Sequence, residues 1–488
     1  MGLIGRNGVI LQTERKGMMK KSAMWVAIAL MMATVMTGCS KDNSETEPVL
    51  IIDPVEPTDI EDGDSVPTPE NNELDHIHLT RSEQELVSNN NDFAFNLFRM
   101  MNVKPDLAYG FEYLNETLPL KSQIVSPISI TYALGMLNNG AAGETQAQIN
   151  KVLGFGEAGA DGINDFCQKM LTEAPNLDQL TKVLIANNIY MNKGYELLPD
   201  FVRETKLYYN ADVETRDFYD GLTRDVINKW GSDHTMGMIP EVLKKDEFDP
   251  SAVSYLLNAI YFKGAWAEKF DKNNTKEEEF QTDTEKKLVP MMHQENEFYY
   301  AENELCQTLS LSYGNKAYSM TILLPKEGKT INDVLVTLTA ETWQGYQFST
   351  PYNYKMDGNA VGIRPWNYQD MWGKFIVDVK LPRFETDLDV DLKPIMKALG
   401  MPRAFDANLA EFPNFCKVPI YIFLMKQVAK IKVNEAGTEA AAVTVIGVDK
   451  ADNGRPQYVN FHANRPFLYV ISEESTGAIF FIGKYIGD

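Results

Sequence analysis

The apolar positions of this 488-residue chain change period several times along its length, and each change marks an element. From Ser82 to Asn102 they fall at Leu86, Phe93, Leu97, Phe98 and Met101, which is the spacing of one helix face. Val125 to Phe155 opens on Ser126 as a cap, with Pro127 in the first turn, and its helix closes at Asn139-Gly140; a second helix is predicted from Glu144. Leu184–Asn192 and Ser254–Gly264 are near-continuous apolar runs, the composition of buried strands. Between them Val226–Leu243 predicts helix. Strand-like runs follow at Val289, Ser319 and Phe375, then a short helix over Asp391–Met401.

One stretch near the end departs from this scheme. Thr438 to Val448 has strand composition with period two: Thr438, Ala440, Ala442, Thr444, Ile446 and Val448 share one uncharged face, opposite Glu439, Ala441, Val443, Val445 and Gly447. The residues after it, DKADNGRPQ, are polar and turn-rich, the character of an exposed, protease-accessible tip. A segment able to be both exposed loop and core strand is a candidate conformational switch.

Charge changes the picture at the front of the chain. The chain carries 68 Asp and Glu against 46 Lys and Arg, a net charge of −22. Ser40–Asp75 holds 12 of those acids with one Lys, five Pro and no aromatic residue, so this segment accounts for half the net charge. It cannot bury enough apolar surface to offset its ordering entropy and is expected to be a disordered tether. Ahead of it, Met19, Lys20 and Lys21 lead into the apolar run Ala23–Val35 and the sequence MTGC, a signal-peptide pattern too short to span a membrane. The MTGC ending resembles a bacterial lipoprotein box, which implies lipidation at Cys39. The expected organisation is therefore 1–38 signal peptide, with 1–17 ahead of the true start, 39–78 lipidated tether, and 79–488 folded domain. The resemblance places the protein as exported and anchored to a bacterial outer membrane, with cell surface and periplasm both open.

Competing chemistry finds little support. There are five His, and His234, His293 and His462 are far apart in sequence with no Glu or Cys at ligand spacing; His76 and His78 lack a third ligand. No GxSxG, HExxH, Walker A or GxGxxG pattern occurs, so neither a hydrolase nor a cofactor enzyme is expected. Cys167, Cys306 and Cys416 sit in apolar settings and read as buried free thiols. No basic patch suggests nucleic acid.

Several motifs point to one family. VSPISITYALGMLNNGAAGETQAQINKVLGF, LLNAIYFKGAWAEKF, NEAGTEAAAVT and FHANRPFLYVISEESTGAIFFIGKY together resemble the serpins, the suicide protease inhibitors, and the likeness runs from about Leu79 to Asp488. The resemblance implies an α+β serpin fold: a large central β-sheet with two further sheets, about nine helices and an exposed reactive-centre loop over 435–464. It implies a monomer without cofactor or metal that traps a protease by loop cleavage and insertion into the sheet. Serine proteases are the expected targets, with cysteine proteases a further class, and a non-inhibitory surface-binding lipoprotein is the alternative.

The same resemblance assigns roles by position. Glu435, Gly437, Thr438, Ala440, Ala441, Ala442 and Thr444 would form the hinge. The small side chains of Thr438, Ala440, Ala442 and Thr444, which would turn inward, suit rapid insertion. Ser126, Ser129 and Asn258 would form a polar shutter and Trp266 would mark the breach at the top of the sheet. Where the family usually has His, this chain has Gln427, an amide that still offers a donor and an acceptor. Counting from Gly437 and from Pro466 disagrees on the scissile bond, which leaves the region Val448, Asp449, Lys450, Ala451 and Asp452. Lys450 and Ala451 lead, the former suiting trypsin-like and the latter elastase-like enzymes.

Overall fold

The structure is a computed structural model that describes residues 76–102, 121–346, 371–438 and 458–488. Its helices are α1 Arg81–Asn102, α2 Pro127–Asn138, α3 Gly143–Val152, α4 Gly159–Glu173, α5 Pro199–Tyr209, α6 Thr223–His234, α7 Ile331–Leu335, α8 Ala340–Tyr346 and α9 Lys393–Leu399. The strands are β1 Gln123–Val125, β2 Thr181–Asn192, β3 Asp212–Arg216, β4 Ser254–Ala265, β5 Lys276–Gln281, β6 Lys286–Glu302, β7 Cys306–Tyr313 and β8 Tyr318–Pro325. They continue with β9 Met371–Pro382, β10 Phe384–Asp391, β11 Lys426–Asn434, β12 Gly437–Thr438, β13 Tyr458–His462, β14 Phe467–Glu473 and β15 Ile479–Tyr485.

Helix α1 buries Phe93, Leu97, Phe98 and Met101, as its period predicts. Helix α2 is buried almost all round, which fits its low share of polar residues and its place against β4 and β15. The helix expected over Val226–Leu243 is shorter: α6 stops at His234. The Thr235 hydroxyl donates to the Gly231 carbonyl at 2.8 Å and accepts from the Ile239 amide at 3.1 Å, and Met236 turns left-handed with φ 51°. Residues 235–249 then run on as a strap of turns and bends, because a side chain has replaced the backbone partner that would have continued the helix.

Two sheets organise the body. The first is mixed, in the order β10-β11-β12-β4-β2-β3, antiparallel except for the parallel β2–β3 edge. The two further sheets expected from the sequence run together, because the long β6 pairs β5 near its start and β9 and β7 towards its end. The result is a nine-stranded system, β1-β15-β14-β8-β7-β6-β9-β13 with β5 on β6. In the mixed sheet, outward acids on β10 face outward lysines on β11: Glu385 lies opposite Lys432 and Asp387 opposite Lys430. This charge ladder makes β10 and β11 one unit.

Candidate functional site

The mixed sheet is interrupted between β4 and β11. Among the described residues only the two-residue β12 bridges them, pairing Gly437 with Ala265 and Asn434, and Thr438 with Gly264 and Val433. It runs antiparallel to both, so β4 and β11 are parallel to each other. Below Thr438 no ladder joins the two strands among the described residues. A slot of about 200 Å³ lies there, with Ser254–Ile260 along one edge, Lys426–Lys430 along the other, α2 behind and α6 with Ile239, Val242 and Leu243 in front.

The upper end of the slot is built by close approach. Gly437 has φ +142°, and a Cβ there would meet the Gly264 carbonyl oxygen at 2.1 Å, so only glycine lets the chain turn in at this point. Thr438 is fully buried and shares a hydrogen bond of 2.6 Å with the Tyr313 hydroxyl, whose phenol burial pushes up. Trp266 stacks on Tyr313 with ring centroids 4.5 Å apart, donates its indole N–H to Asn434 O at 2.9 Å, and its backbone N–H donates to Ala436 O at 3.0 Å. The buried Glu435 carboxylate accepts from Arg383 and, at 2.7 Å, from the Thr275 hydroxyl. Burial alone would raise its pKa; the bonds from Arg383 and Thr275 outweigh that and hold it below the usual carboxylate range.

Midway down, both edges are tied to the start of α2 rather than to each other. Ser126 caps the helix, and its hydroxyl donates to Phe480 O at 2.8 Å. Gln427 of β11 accepts from the Ser126 amide at 3.1 Å and donates to the Ser126 carbonyl at 2.8 Å. From the other edge, Asn258 of β4 accepts from the Ser129 hydroxyl and donates to Asn187 Oδ1 at 2.8 Å. The amide thus supplies one donor and one acceptor to one residue's backbone, which an imidazole could not do with the same two-bond geometry.

Ser126, Ser129, Asn258 and Gln427 therefore meet at one level of the slot, while Glu435, Gly437, Thr438 and Trp266 meet at its top. Ala440, Ala441, Ala442, Thr444, the region Val448, Asp449, Lys450, Ala451 and Asp452, and Cys39 lie outside the described residues. Sequence reasoning passed over Gly264, Tyr313, Arg383, Thr275 and Asn187. Of these only Gly264 carried a signal, as the glycine closing an otherwise apolar strand run. It also separated two histidines that the fold unites: His293 and His462 sit 2.5 and 2.9 Å from the two carboxylate oxygens of Asp378. Among the described residues no group of three ligands is arranged to hold a metal. Cys167, Cys306 and Cys416 are buried free thiols, and burial pushes Cys306 up to about 11.

Comparison with known proteins settles the family. The profile described as Serpin (serine protease inhibitor) matches residues 88–487. The chain is a serpin. It is 32% identical over 372 residues to Serpin B6 of Macaca fascicularis, covering 75% of this chain and 93% of that protein. It is also 32% identical over 403 residues to the leukocyte elastase inhibitor of Xenopus tropicalis, covering 80% of this chain and 97% of that one. Among solved structures, the thermophilic serpin tengpin in the native state superposes with a TM-score of 0.68 at 27% identity, over 84% of this chain and 95% of tengpin. The serpin fold and, at family level, protease inhibition follow from this membership.

Proposed function

We propose that this serpin is a suicide inhibitor of serine proteases, with cysteine proteases as a second class, that traps its target by inserting the segment after Thr438 between β4 and β11. The observation that supports this most strongly is β12 itself, hydrogen-bonded to both edges at the head of a slot that no other described strand fills. Continuing the same register brings Thr444 opposite both Asn258 and Gln427 and Val448 opposite Ser254, so the small-residue face of 438–448 would turn towards α2. The roles of hinge, shutter and breach belong to this reading.

The chemistry is that of an interrupted acyl transfer. The protease serine Oγ attacks the carbonyl carbon in the Val448–Asp452 region, its proton passes to the leaving amine, the C–N bond breaks and an ester joins loop to enzyme. Insertion of the freed strand before water reaches the ester drags the enzyme along the body and distorts its catalytic site. Lys450 suits a trypsin-like pocket, and Val448 or Ala451 an elastase-like one. Incubation with trypsin and with pancreatic elastase tests this. A complex that survives SDS, with a released C-terminal fragment whose mass begins within 449–453, is expected; clean turnover with no complex for either enzyme rejects inhibition and leaves a binding role.

The basic and apolar run Met19–Val35 ending in MTGC supports export and lipid anchoring at Cys39 of a bacterial outer-membrane protein. Cys39→Ser should then move the protein from the membrane fraction to the soluble one, and unchanged membrane association rejects the anchor.

A further inference from the structure

A cluster of titratable side chains lies away from the slot, on the other sheet. β13 ends the nine-stranded system and, among the described residues, is paired only with β9. Its Phe461 is fully buried in the core, so the neighbouring His462 turns to the opposite, half-open face. There Asp378 of β9 accepts from two sides at once. His462 Nε2 lies 2.9 Å from one carboxylate oxygen, and His293 Nε2 of β6 lies 2.5 Å from the other. A carboxylate only accepts, so each ring carries its proton on Nε2 and has Nδ1 left to take up a second. One carboxylate thus links three strands, from the edge strand inward, through side chains that solvent reaches.

The charges facing this trio set its preference. Register places Lys380 opposite both histidines, but its ammonium is taken by Glu278 of β5 at 2.7 Å. Glu295 of β6 stands directly opposite Asp378, with the uncharged Asn460 on the other side. Further along the same face Glu297 and Lys374 pair at 3.5 Å, and Lys276 of β5 stands opposite Met291. Around the rings, then, Glu278, Asp378 and Glu295 outnumber Lys380, and a proton added to either Nδ1 meets net negative charge. That proton also turns a neutral donor on the carboxylate into a charged one, the stronger kind of bond. We propose that His293, Asp378 and His462 are a proton-operated clamp on β13, which grips as pH falls from 8 to 5 and lets the strand fray as pH rises. The carboxylate stays charged throughout that range. Burial alone would raise the Asp378 pKa, but the bonds from His462 and His293 outweigh it and hold it below the ordinary aspartate range. β13 is the first described element after Val448–Asp452, so the clamp sets how firmly the far end of 439–457 is fixed at the pH where a protease meets it.

The clamp stands or falls independently of protease inhibition, because the uncut full-length protein reports it. Hydrogen exchange of residues 458–463 is followed at pH 5, 6, 7 and 8, each rate being compared with that of an unstructured chain at the same pH. Protection there is expected to rise about tenfold from pH 8 to pH 5, while β14, inside the same sheet system, keeps its protection across the range. A glutamine amide can place a donor where Nε2 stood but cannot take up a second proton. The double variant H293Q/H462Q should therefore hold β13 at its pH 8 level throughout. Asp378→Asn, which keeps the shape and removes the charge, should flatten the profile in the same way. A flat profile in the parent, or an equal slope in the double variant, overturns the clamp. A slope shared by β14 overturns it as well, since the whole fold and not β13 would then be titrating.

Discussion

Glu435 shows how a single residue fixes the mouth of the slot. Its carboxylate is buried, yet its partner Arg383 keeps about half of its side chain in solvent, so the attraction between them is screened. The pair and the Thr275 bond still lower the Glu435 pKa against the opposing pull of burial. A carboxyl whose folded value is depressed stabilises the fold above its unfolded value near 4.3 and loses that contribution as pH falls through the folded value. Glu435→Gln should therefore cost about 1 kcal/mol at pH 7, and that cost should shrink as pH is lowered towards 3. Thermal unfolding of the two intact proteins across that range measures the gap, and a gap that stays constant to pH 3 assigns the cost to packing instead.

Among elements, β11 is the one whose attachment the sequence disclosed and whose environment it hid. The cap and first-turn proline of α2, the apolar run of β4 and the distance of Gln427 from Gly437 all lie within short windows, so their meeting at the slot was legible once the family was recognised. The strap and the Tyr255–Phe423 contact were not. Tyr255 and Phe423 are separated by most of the second half of the chain, and each reads locally as an ordinary core aromatic. The helical period through Val226–Leu243 also masked the strap, because nothing in the pattern reveals that the Thr235 hydroxyl will take over a backbone carbonyl. His293, Asp378 and His462 were hidden for the same reason, since three separate strands bring them together. At Gln427 the structure makes a definite demand: Gln427→Ala removes two buried hydrogen bonds and should cost about 2 kcal/mol in denaturant unfolding. Gln427→His should behave differently. A buried imidazole with no carboxylate among the Ser126 partners is held neutral, so it resists protonation and its stability should fall as pH drops below about 6.5. The parent amide should show no such fall between pH 8 and 6, and a parallel fall in both proteins would mean that the titration arises elsewhere.

At the scale of the whole molecule, the described residues leave the mixed sheet open between β4 and β11 below Thr438, and on the proposed function residues 439–448 supply the strand that completes it. Residues 439–457 are tied at both ends: at Thr438 in the mixed sheet, and at Tyr458, which β13 pairs to Ile376 in the other sheet. Running the length of the slot would carry the segment about 33 Å from Thr438, and the residues beyond Val448 would then have to climb back to β13. A cut within 448–452 removes that tie, and the backbone groups along β4 and β11 can exchange water for a ladder on both sides, burying the small-residue face of 438–448 against α2. The nicked protein should therefore melt higher than the intact one, by on the order of 10 °C. Thr438→Arg supplies the control, because position 438 is fully buried between Gly264 and Val433 with its hydroxyl on Tyr313, leaving no room for a guanidinium or partner for its charge. The variant should be cut at the same bond without any rise in melting temperature and without an SDS-resistant complex. Equal melting of the nicked and intact parent would mean that the slot is a resting gap with no strand to fill it.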